Sequence, residues 1–137
     1  VGERGGGAGG QYRVFLCGMA QGFDMLCGEL VAGLKAEFPH LKLTAVIPYN
    51  GQSGGWSMAD KERYRVLLQS CDDFAVLSDH YFDGCYFVRN KYLVDNSSRI
   101  ICYFDGVSGG TQNTLNYAKK RGIDICNTAE SPHNDND

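Results

Sequence analysis

Two glycine-containing turns hold residue types that can bind an anion. The first runs from Cys17 to Asp24, between a strand-like and a helix-like stretch, and the second is Gly109-Gly110-Thr111, again ahead of a helix-like stretch. Glycine lets backbone N–H groups approach an anion, and the following helix adds the positive end of its dipole. The pattern predicts one phosphate-bearing ligand, held in the first turn by Gly18, Met19, Ala20, Gly22 and Asp24 and in the second by Gly109, Gly110 and Thr111.

Four further side chains are candidates for the same ligand. Arg89 offers a forked donor to a phosphate, and Asn90 can bind a base edge or a backbone group. Trp56 or Tyr86 can cover a base. The alternatives are a solvated arginine, a structural asparagine and aromatic rings that only close the core. Asp24 can contact a ribose hydroxyl or act as an ordinary acid in the first turn of a helix.

Neither metal chemistry nor a disulfide framework is indicated by the spacing of the relevant residues. The three histidines are scattered, and Asp72, Asp73 and Asp95 show no ligand spacing. The six cysteines form no C-x-x-C pair, and Cys17, Cys102 and Cys126 lie in apolar runs. Such cysteines act as small hydrophobic residues, so we expect buried free thiols and no bound metal.

Length and charge narrow the class of protein. A chain of 137 residues is expected to form one domain, and a net charge of −3 weighs against broad nucleic-acid binding. No run of about 18 apolar residues is present, so no membrane-spanning helix is expected. The first residues contain no apolar signal core, which favours a cytoplasmic location.

Hydrophobic periodicity and breakers place nine elements within residues 12–127. The predicted strands are 12–17, 41–48, 73–77, 99–104 and 123–126, and the predicted helices are 23–37, 57–70, 85–96 and 111–121. Residues 1–11 are interpreted as a flexible glycine-rich lead-in and residues 128–137 as a polar tail. The first helix is expected to bury one face made of Met25, Leu26, Leu30, Val31 and Leu34.

Alternating strands and helices predict an α/β domain with right-handed crossovers and a mostly parallel sheet. Ligands of such sheets bind beyond the carboxyl ends of the strands. Four loops rich in Gly, Ser, Asn or Asp should therefore meet at one rim of the sheet: 18–22, 49–57, 78–84 and 105–110.

Several motifs, in unbroken order from about residue 12 to residue 126, resemble those of a known family. The matching residues are Gly18-Met19-Ala20-x-Gly22-x-Asp24, Trp56, Arg63-Tyr64, Gly84-Cys85-x-x-x-Arg89-Asn90-x-x-x-Val94-Asp95-x-Ser97-Ser98 and Gly109-Gly110-Thr111-x-x-Thr114-x-x-Tyr117-Ala118. The chain resembles the YpsA-like bacterial proteins, a family of unknown function. This family belongs to the SLOG superfamily, together with the Smf/DprA and LOG-type proteins.

The resemblance implies a Rossmann-like three-layer sandwich that binds nucleotides or nucleotide-derived ligands. LOG-type proteins hydrolyse nucleoside monophosphates and carry the motif Pro-Gly-Gly-x-Gly-Thr-x-x-Glu. Aligned from Gly109, the glutamate of that motif falls on Asn116, whose amide cannot serve as the assisting carboxylate. Gln112-Asn113 also replaces the second Gly-Thr, so the resemblance argues against phosphoribohydrolase activity.

The resemblance also implies that one element is missing. Family members usually begin with another strand and helix, and the strand ends in a Thr-Gly-His-Arg-like turn that forms part of the ligand site. Here a glycine-rich piece stands in that place. The absent strand would be central, so its loss should open the sheet between strands 12–17 and 73–77. Either the chain is a fragment, or another segment or a partner molecule fills the gap.

The favoured function is a non-catalytic or weakly catalytic nucleotide-sensing domain that acts through a protein partner, with a homo-oligomer as one possible assembly. One alternative is a nucleotide N-glycosidase or other hydrolase that uses Asp24 or Asp95. A second is single-stranded DNA binding of the Smf/DprA type, which the acidic balance disfavours. No cofactor is expected beyond the nucleotide ligand, and no membrane partner.

Overall fold

The computed structural model describes residues 1–5, 13–106 and 109–129. This part of the chain forms a six-stranded sheet and four α-helices. The strands are β1 (Gly2–Gly5), β2 (Arg13–Cys17), β3 (Leu41–Ile47), β4 (Asp73–Val76), β5 (Arg99–Cys102) and β6 (Asp124–Asn127). The helices are α1 (Phe23–Leu34), α2 (Met58–Gln69), α3 (Cys85–Asp95) and α4 (Gly110–Lys120).

The sheet is mostly parallel and carries helices on both faces. Its strand order is β4-β3-β2-β1-β5-β6, and the pairs β2–β3, β3–β4 and β5–β6 are parallel. Helices α1 and α2 pack on one face around Leu43 and Ala45, and α3 and α4 pack on the other around Leu16 and Ile100. The predicted Rossmann-like three-layer α/β sandwich is confirmed.

The first residues differ from the prediction of a flexible lead-in, because Gly2–Gly5 form the central strand β1. β1 runs antiparallel to both neighbours, with Gly2 opposite Leu16 on β2 and Ile100 on β5. Glu3 Oε2 accepts a hydrogen bond from Arg13 Nη1 at 2.9 Å, which fastens the strand to β2. The remainder of the expected lead-in, residues 6–11, lies outside the described residues.

The sequence analysis expected the sheet to open between the strands 12–17 and 73–77, and this prediction is wrong. The position filled by β1 lies between β2 and β5, whereas β4 is an edge strand paired with β3. An empty position there would leave backbone donors and acceptors of two inner strands unpaired, which is costly. β1 satisfies these groups, so the sheet is continuous without the additional strand of the family pattern.

Helix α1 is shorter than predicted and buries a narrower face. It ends at Leu34, and only Met25, Gly28 and Val31 of its residues are buried. Leu26, Leu30 and Leu34 were expected inside but are 51%, 59% and 43% exposed. The three buried residues are spaced by three positions and lie on the side of the helix that faces the sheet. The three leucines are spaced by four positions and form a separate row that is turned away from the sheet.

The end of the domain and one cysteine also differ from the sequence analysis. The N–H and Oγ1 of Thr128 both donate to the carbonyl oxygen of Cys102, at 2.8 and 2.9 Å, so the ordered chain extends into the expected tail. Residues 130–137 of that tail lie outside the described residues. None of the six cysteines forms a disulfide, but Cys126 is exposed instead of buried. None of the helices in the described residues is long and apolar enough to span a membrane.

We predict that the two glycines of β1 differ sharply in their tolerance of alanine. A Cβ on Gly2 would meet the side chain of Ser97 and lie 3.3 Å from the carbonyl oxygen of Leu93, whereas a Cβ on Gly5 would meet nothing within 4 Å. Gly2→Ala should lower the free energy of unfolding by about 1–3 kcal/mol, as overpacking does. Gly5→Ala is the matched control and should leave it unchanged within about 0.5 kcal/mol.

Urea unfolding of both variants measures this difference. Equal, small effects would contradict the placement of Gly2 against Ser97 and Leu93.

Candidate functional site

The turn after β2 is held in an uncommon backbone conformation. Met19 is fully buried and has φ 59°, a left-handed value that non-glycine residues rarely adopt. Gln52 Nε2 donates to the Met19 carbonyl oxygen at 3.2 Å, and Arg89 Nη1 donates to the Gly18 carbonyl oxygen at 2.9 Å. Two buried side chains from distant segments therefore hold this turn in its strained conformation.

Gly18 allows two charged side chains to approach the turn closely. A Cβ at this position would lie 2.7 Å from Asp24 Oδ2 and 2.8 Å from Arg89 Cδ. Any larger residue would push at least one of them away. The glycine is therefore required for the packing of Asp24 and Arg89, in addition to any role of its backbone.

A cleft of about 200 Å³ opens at the carboxyl ends of β2 and β5, between the turn and the helices α3 and α4. Apolar side chains, among them Leu93 and Leu115, form part of its wall. The cleft brings together five of the residues expected from the sequence. These are Ala20, Asp24, Arg89, Asn90 and Thr111.

Arg89 is the most unusual group in the cleft. It is only 6% exposed, and its Nε donates to Asn90 Oδ1 at 2.9 Å. Within the described residues it forms no ion pair with a carboxylate, and its Nη2 makes no hydrogen bond. A buried charge is costly unless it is paired. The unpaired part of the guanidinium therefore suits an anion.

Two helices begin at the cleft without a side-chain cap. Gly22 precedes α1 and Gly109 precedes α4, and neither N-terminus has a capping side chain. Helix α2 provides a contrast, because Ser57 Oγ accepts a hydrogen bond from Asp60 N at 3.2 Å. The first N–H groups of a helix lack partners within the helix, although that of Met25 in α1 donates to the Ala20 carbonyl oxygen at 3.2 Å. Phe23 of α1 and Thr111 of α4 line the same cleft as Arg89, so the positive ends of two helix dipoles lie beside it.

Three of the predicted residues lie elsewhere around this turn. Gly22 and Trp56 line a neighbouring recess of about 180 Å³, together with Gln21, Met25, Asp60 and Arg63. Met19 belongs to the turn itself, but it is fully buried and does not line the cleft.

Gly22 is well suited to the edge of this recess, with φ 87° and open space where a Cβ would be. Gly18, Gly109 and Gly110 also lie outside the cleft lining, although each is next to or within an element that forms it.

Tyr86, the second candidate for covering a base, does not line either cavity. Its ring centre lies 5.4 Å from Arg89 Cζ, a distance suited to a cation–π contact. The pKa of Tyr86 is raised to about 12, mainly by its hydrogen bond with Tyr49 and to a smaller extent by partial burial. The phenol is therefore neutral at physiological pH, and its ring lies under the guanidinium carbon of Arg89.

The carboxylates considered for hydrolysis are separated from one another. Asp24 lies in the cleft, where Oδ2 accepts from Ala20 N at 3.4 Å and Oδ1 is 3.6 Å from the amino group of Val1. Asp95 lies outside it and accepts a hydrogen bond from the Tyr117 hydroxyl at 2.8 Å. Of these two carboxylates, only Asp24 can face a ligand in the cleft.

Asn116, which aligns with the LOG-type glutamate, is exposed and does not line the cleft. It lines a separate groove together with Phe87 and Lys120.

Sequence reasoning missed two glutamines. Gln52 is 5% exposed and also lies 3.2 Å from the Tyr64 hydroxyl, so it joins the turn to α2. Gln21 lines both cavities and donates to Asp60 Oδ2 at 2.9 Å. The only available signal was that Gln52 is a long amide in a glycine-rich loop, and this does not identify its partners.

The fold and the cleft define a Rossmann-like α/β domain with an anion-suited site at a strand-to-helix turn. Residues 8–126 match the YpsA family, described as the YspA SLOG family. The chain therefore belongs to this family, as the motifs at both glycine turns predicted.

Several bacterial relatives are similar to this chain. The uncharacterized SPbeta prophage-derived protein YoqJ of Bacillus subtilis is 31% identical over 122 residues, which cover 80% of this chain and 71% of YoqJ. A UPF0398 protein of Halalkalibacterium halodurans is 28% identical, with 78% of this chain and 58% of the relative covered. A UPF0398 protein of Brevibacillus brevis is 28% identical, with 69% and 51% covered. The chain thus spans little more than half of these two UPF0398 proteins.

Proposed function

We propose that this domain binds a phosphate-bearing nucleotide or nucleotide derivative and acts as a sensor or regulatory module. The observation that carries the proposal is the Arg89 guanidinium, which is 6% exposed, lacks a carboxylate partner among the described residues and borders a cleft. A buried cation of this kind is stabilised when an anion binds.

The groups around Arg89 suit a phosphate in particular. A phosphate carries several acceptor oxygens, and a guanidinium can donate to two of them in parallel. The uncapped N-termini of α1 and α4 add backbone donors and positive partial charge. Thr111 lines the cleft with a hydroxyl, and Asn90 holds Arg89 through its Oδ1 while its Nδ2 makes no hydrogen bond within the described residues.

The remaining roles follow from the chemistry of the cleft wall. The Asp24 carboxylate is suited to accept from ribose hydroxyls, and the apolar wall excludes water from the other side of the ligand. Regulatory output would pass through a partner protein, and the expected place of action is the cytoplasm, where nucleotides are abundant.

Isothermal titration with inorganic phosphate, ribose 5-phosphate and adenosine 5′-monophosphate tests the proposal. The two organic phosphates should bind at one site and compete with each other, and raising the salt concentration should weaken both. Absence of binding by every phosphate compound at low salt would overturn it. Chromatography of the incubated nucleotide checks the enzyme alternative, because release of free base would favour a hydrolase that uses Asp24.

A further inference from the structure

The recess beside the cleft contains an aromatic ring with polar groups around it. Trp56 is partly buried, and its ring meets Tyr64 edge to face, with centroids 5.2 Å apart. Gln21, Asp60 and Arg63 supply the polar part of the wall. The Asp60 carboxylate is held by Gln21 at 2.9 Å and lies 3.8 Å from Arg63. An aromatic surface next to hydrogen-bonding groups suits a flat heteroaromatic ring.

The cleft and the recess lie on opposite sides of one structural element, the beginning of α1. Both are lined by Gln21, and the first turn of α1 separates them, with Phe23 on the cleft side and Gly22 on the recess side. Each cavity alone is smaller than the lower limit of about 300 Å³ typical of small-molecule sites, whereas the two together exceed it. A ligand of nucleotide size therefore needs both.

From this arrangement we propose that the Trp56 recess is the base subsite of the proposed nucleotide site. A nucleoside 5′-phosphate places its phosphate in the cleft at Arg89, crosses the first turn of α1 at Gly22 and stacks its base on Trp56. The inference rests on the proposed function and adds the class of ligand and the direction in which it lies. The lack of a side chain at Gly22 leaves room for the ribose to cross the turn.

The position of tryptophan in the chain provides a direct measurement. Trp56 is the only tryptophan of the protein, so its fluorescence reports the recess alone. Adenosine 5′-monophosphate should quench this fluorescence on binding, whereas ribose 5-phosphate should bind in the cleft and leave it unchanged. The nucleotide should also bind about tenfold more tightly than ribose 5-phosphate, because base stacking on an aromatic ring contributes on that scale.

Substitutions separate the two subsites. Trp56→Leu should weaken nucleotide binding about tenfold by titration calorimetry and leave ribose 5-phosphate affinity unchanged, and Trp56→Phe should recover most of the loss. Phe74→Leu replaces an aromatic side chain that is 56% exposed on the edge strand β4, and as the control it should change neither affinity.

Each outcome decides between the two proposals. If both compounds bind equally well and Trp56 fluorescence stays constant, the base subsite is wrong and the phosphate site stands. If neither compound binds, the base subsite and the proposed function are both wrong. Since the fluorescence measurement uses the unaltered protein, it decides the matter even where Trp56→Leu fails to fold.

Discussion

Arg89→Met is expected to weaken the binding of ribose 5-phosphate and adenosine 5′-monophosphate about a hundredfold. The substitution keeps a long flexible side chain and removes the cation. Removing one partner of a buried, hydrogen-bonded charge pair costs about 3 kcal/mol, which corresponds to this loss of affinity. Titration calorimetry at constant ionic strength measures it.

The fold of this variant should persist. Arg89 forms no ion pair within the described residues, so its replacement leaves no carboxylate unpaired. The carbonyl oxygen of Gly18 and the Oδ1 of Asn90 each lose a donor, which together are expected to cost about 2 kcal/mol of unfolding free energy.

Lys91→Met is the matched control for Arg89→Met. It removes the same charge two residues along α3, where the Lys91 ammonium lies 5.3 Å from the ring centre of Tyr117 on α4. Neither Lys91 nor Tyr117 lines the cleft. Phosphate affinity should therefore change less than twofold, since only screened, long-range attraction is lost. Equal losses in the two variants would mean that net charge, and not the buried guanidinium, attracts the ligand.

Local sequence patterns were sufficient for most elements and for the place of the cleft. The apolar run of β3 and the glycine turns before α1 and α4 predicted the α/β class and the rim on which Arg89 and Thr111 meet. Secondary-structure propensity acts between residues that are close in the sequence, and the geometry of parallel strands is the same throughout this class of fold. Both can therefore be inferred without knowing any contact between distant residues.

The features that the sequence did not reveal depend on contacts between distant residues. Gly2–Gly5 has the composition of a linker and forms a strand only because β2 and β5 offer it hydrogen-bonding partners on both sides. The bond from Arg89 to the Gly18 carbonyl oxygen spans 71 residues. A spacing rule identifies Arg89 as a potential donor, but it cannot show that this side chain is buried and that no carboxylate among the described residues pairs with it.

The sequence also could not show that Trp56 and Arg89 line two different cavities, because this depends on contacts between distant residues. Both residues follow strands whose carboxyl ends lie at one rim, which predicts a single shared cavity, whereas Arg89 lines the cleft and Trp56 lines the recess. The first turn of α1 stands between the two cavities, and its exact position depends on how Gln52 and Arg89 fix the preceding residues.

Leu43→Ala should lower the free energy of unfolding by about 3 kcal/mol, the largest effect on stability that we expect. Leu43 on β3 is fully buried and belongs to the core between the sheet and α1 and α2. Its truncation removes apolar contacts and leaves a cavity that close packing cannot easily refill. Urea unfolding monitored by circular dichroism measures the loss.

Leu30→Ala makes the same chemical change at a position where sequence and structure disagree. Periodicity predicted Leu30 inside, but it is 59% exposed on α1. Alanine is at least as favourable as leucine within a helix, so this variant should stay within about 0.5 kcal/mol of the parent. A loss close to that of Leu43→Ala would contradict the exposure of the row formed by Leu26, Leu30 and Leu34. If that loss also grew with protein concentration, the row would be covered by a second copy in solution, because only association makes stability depend on concentration.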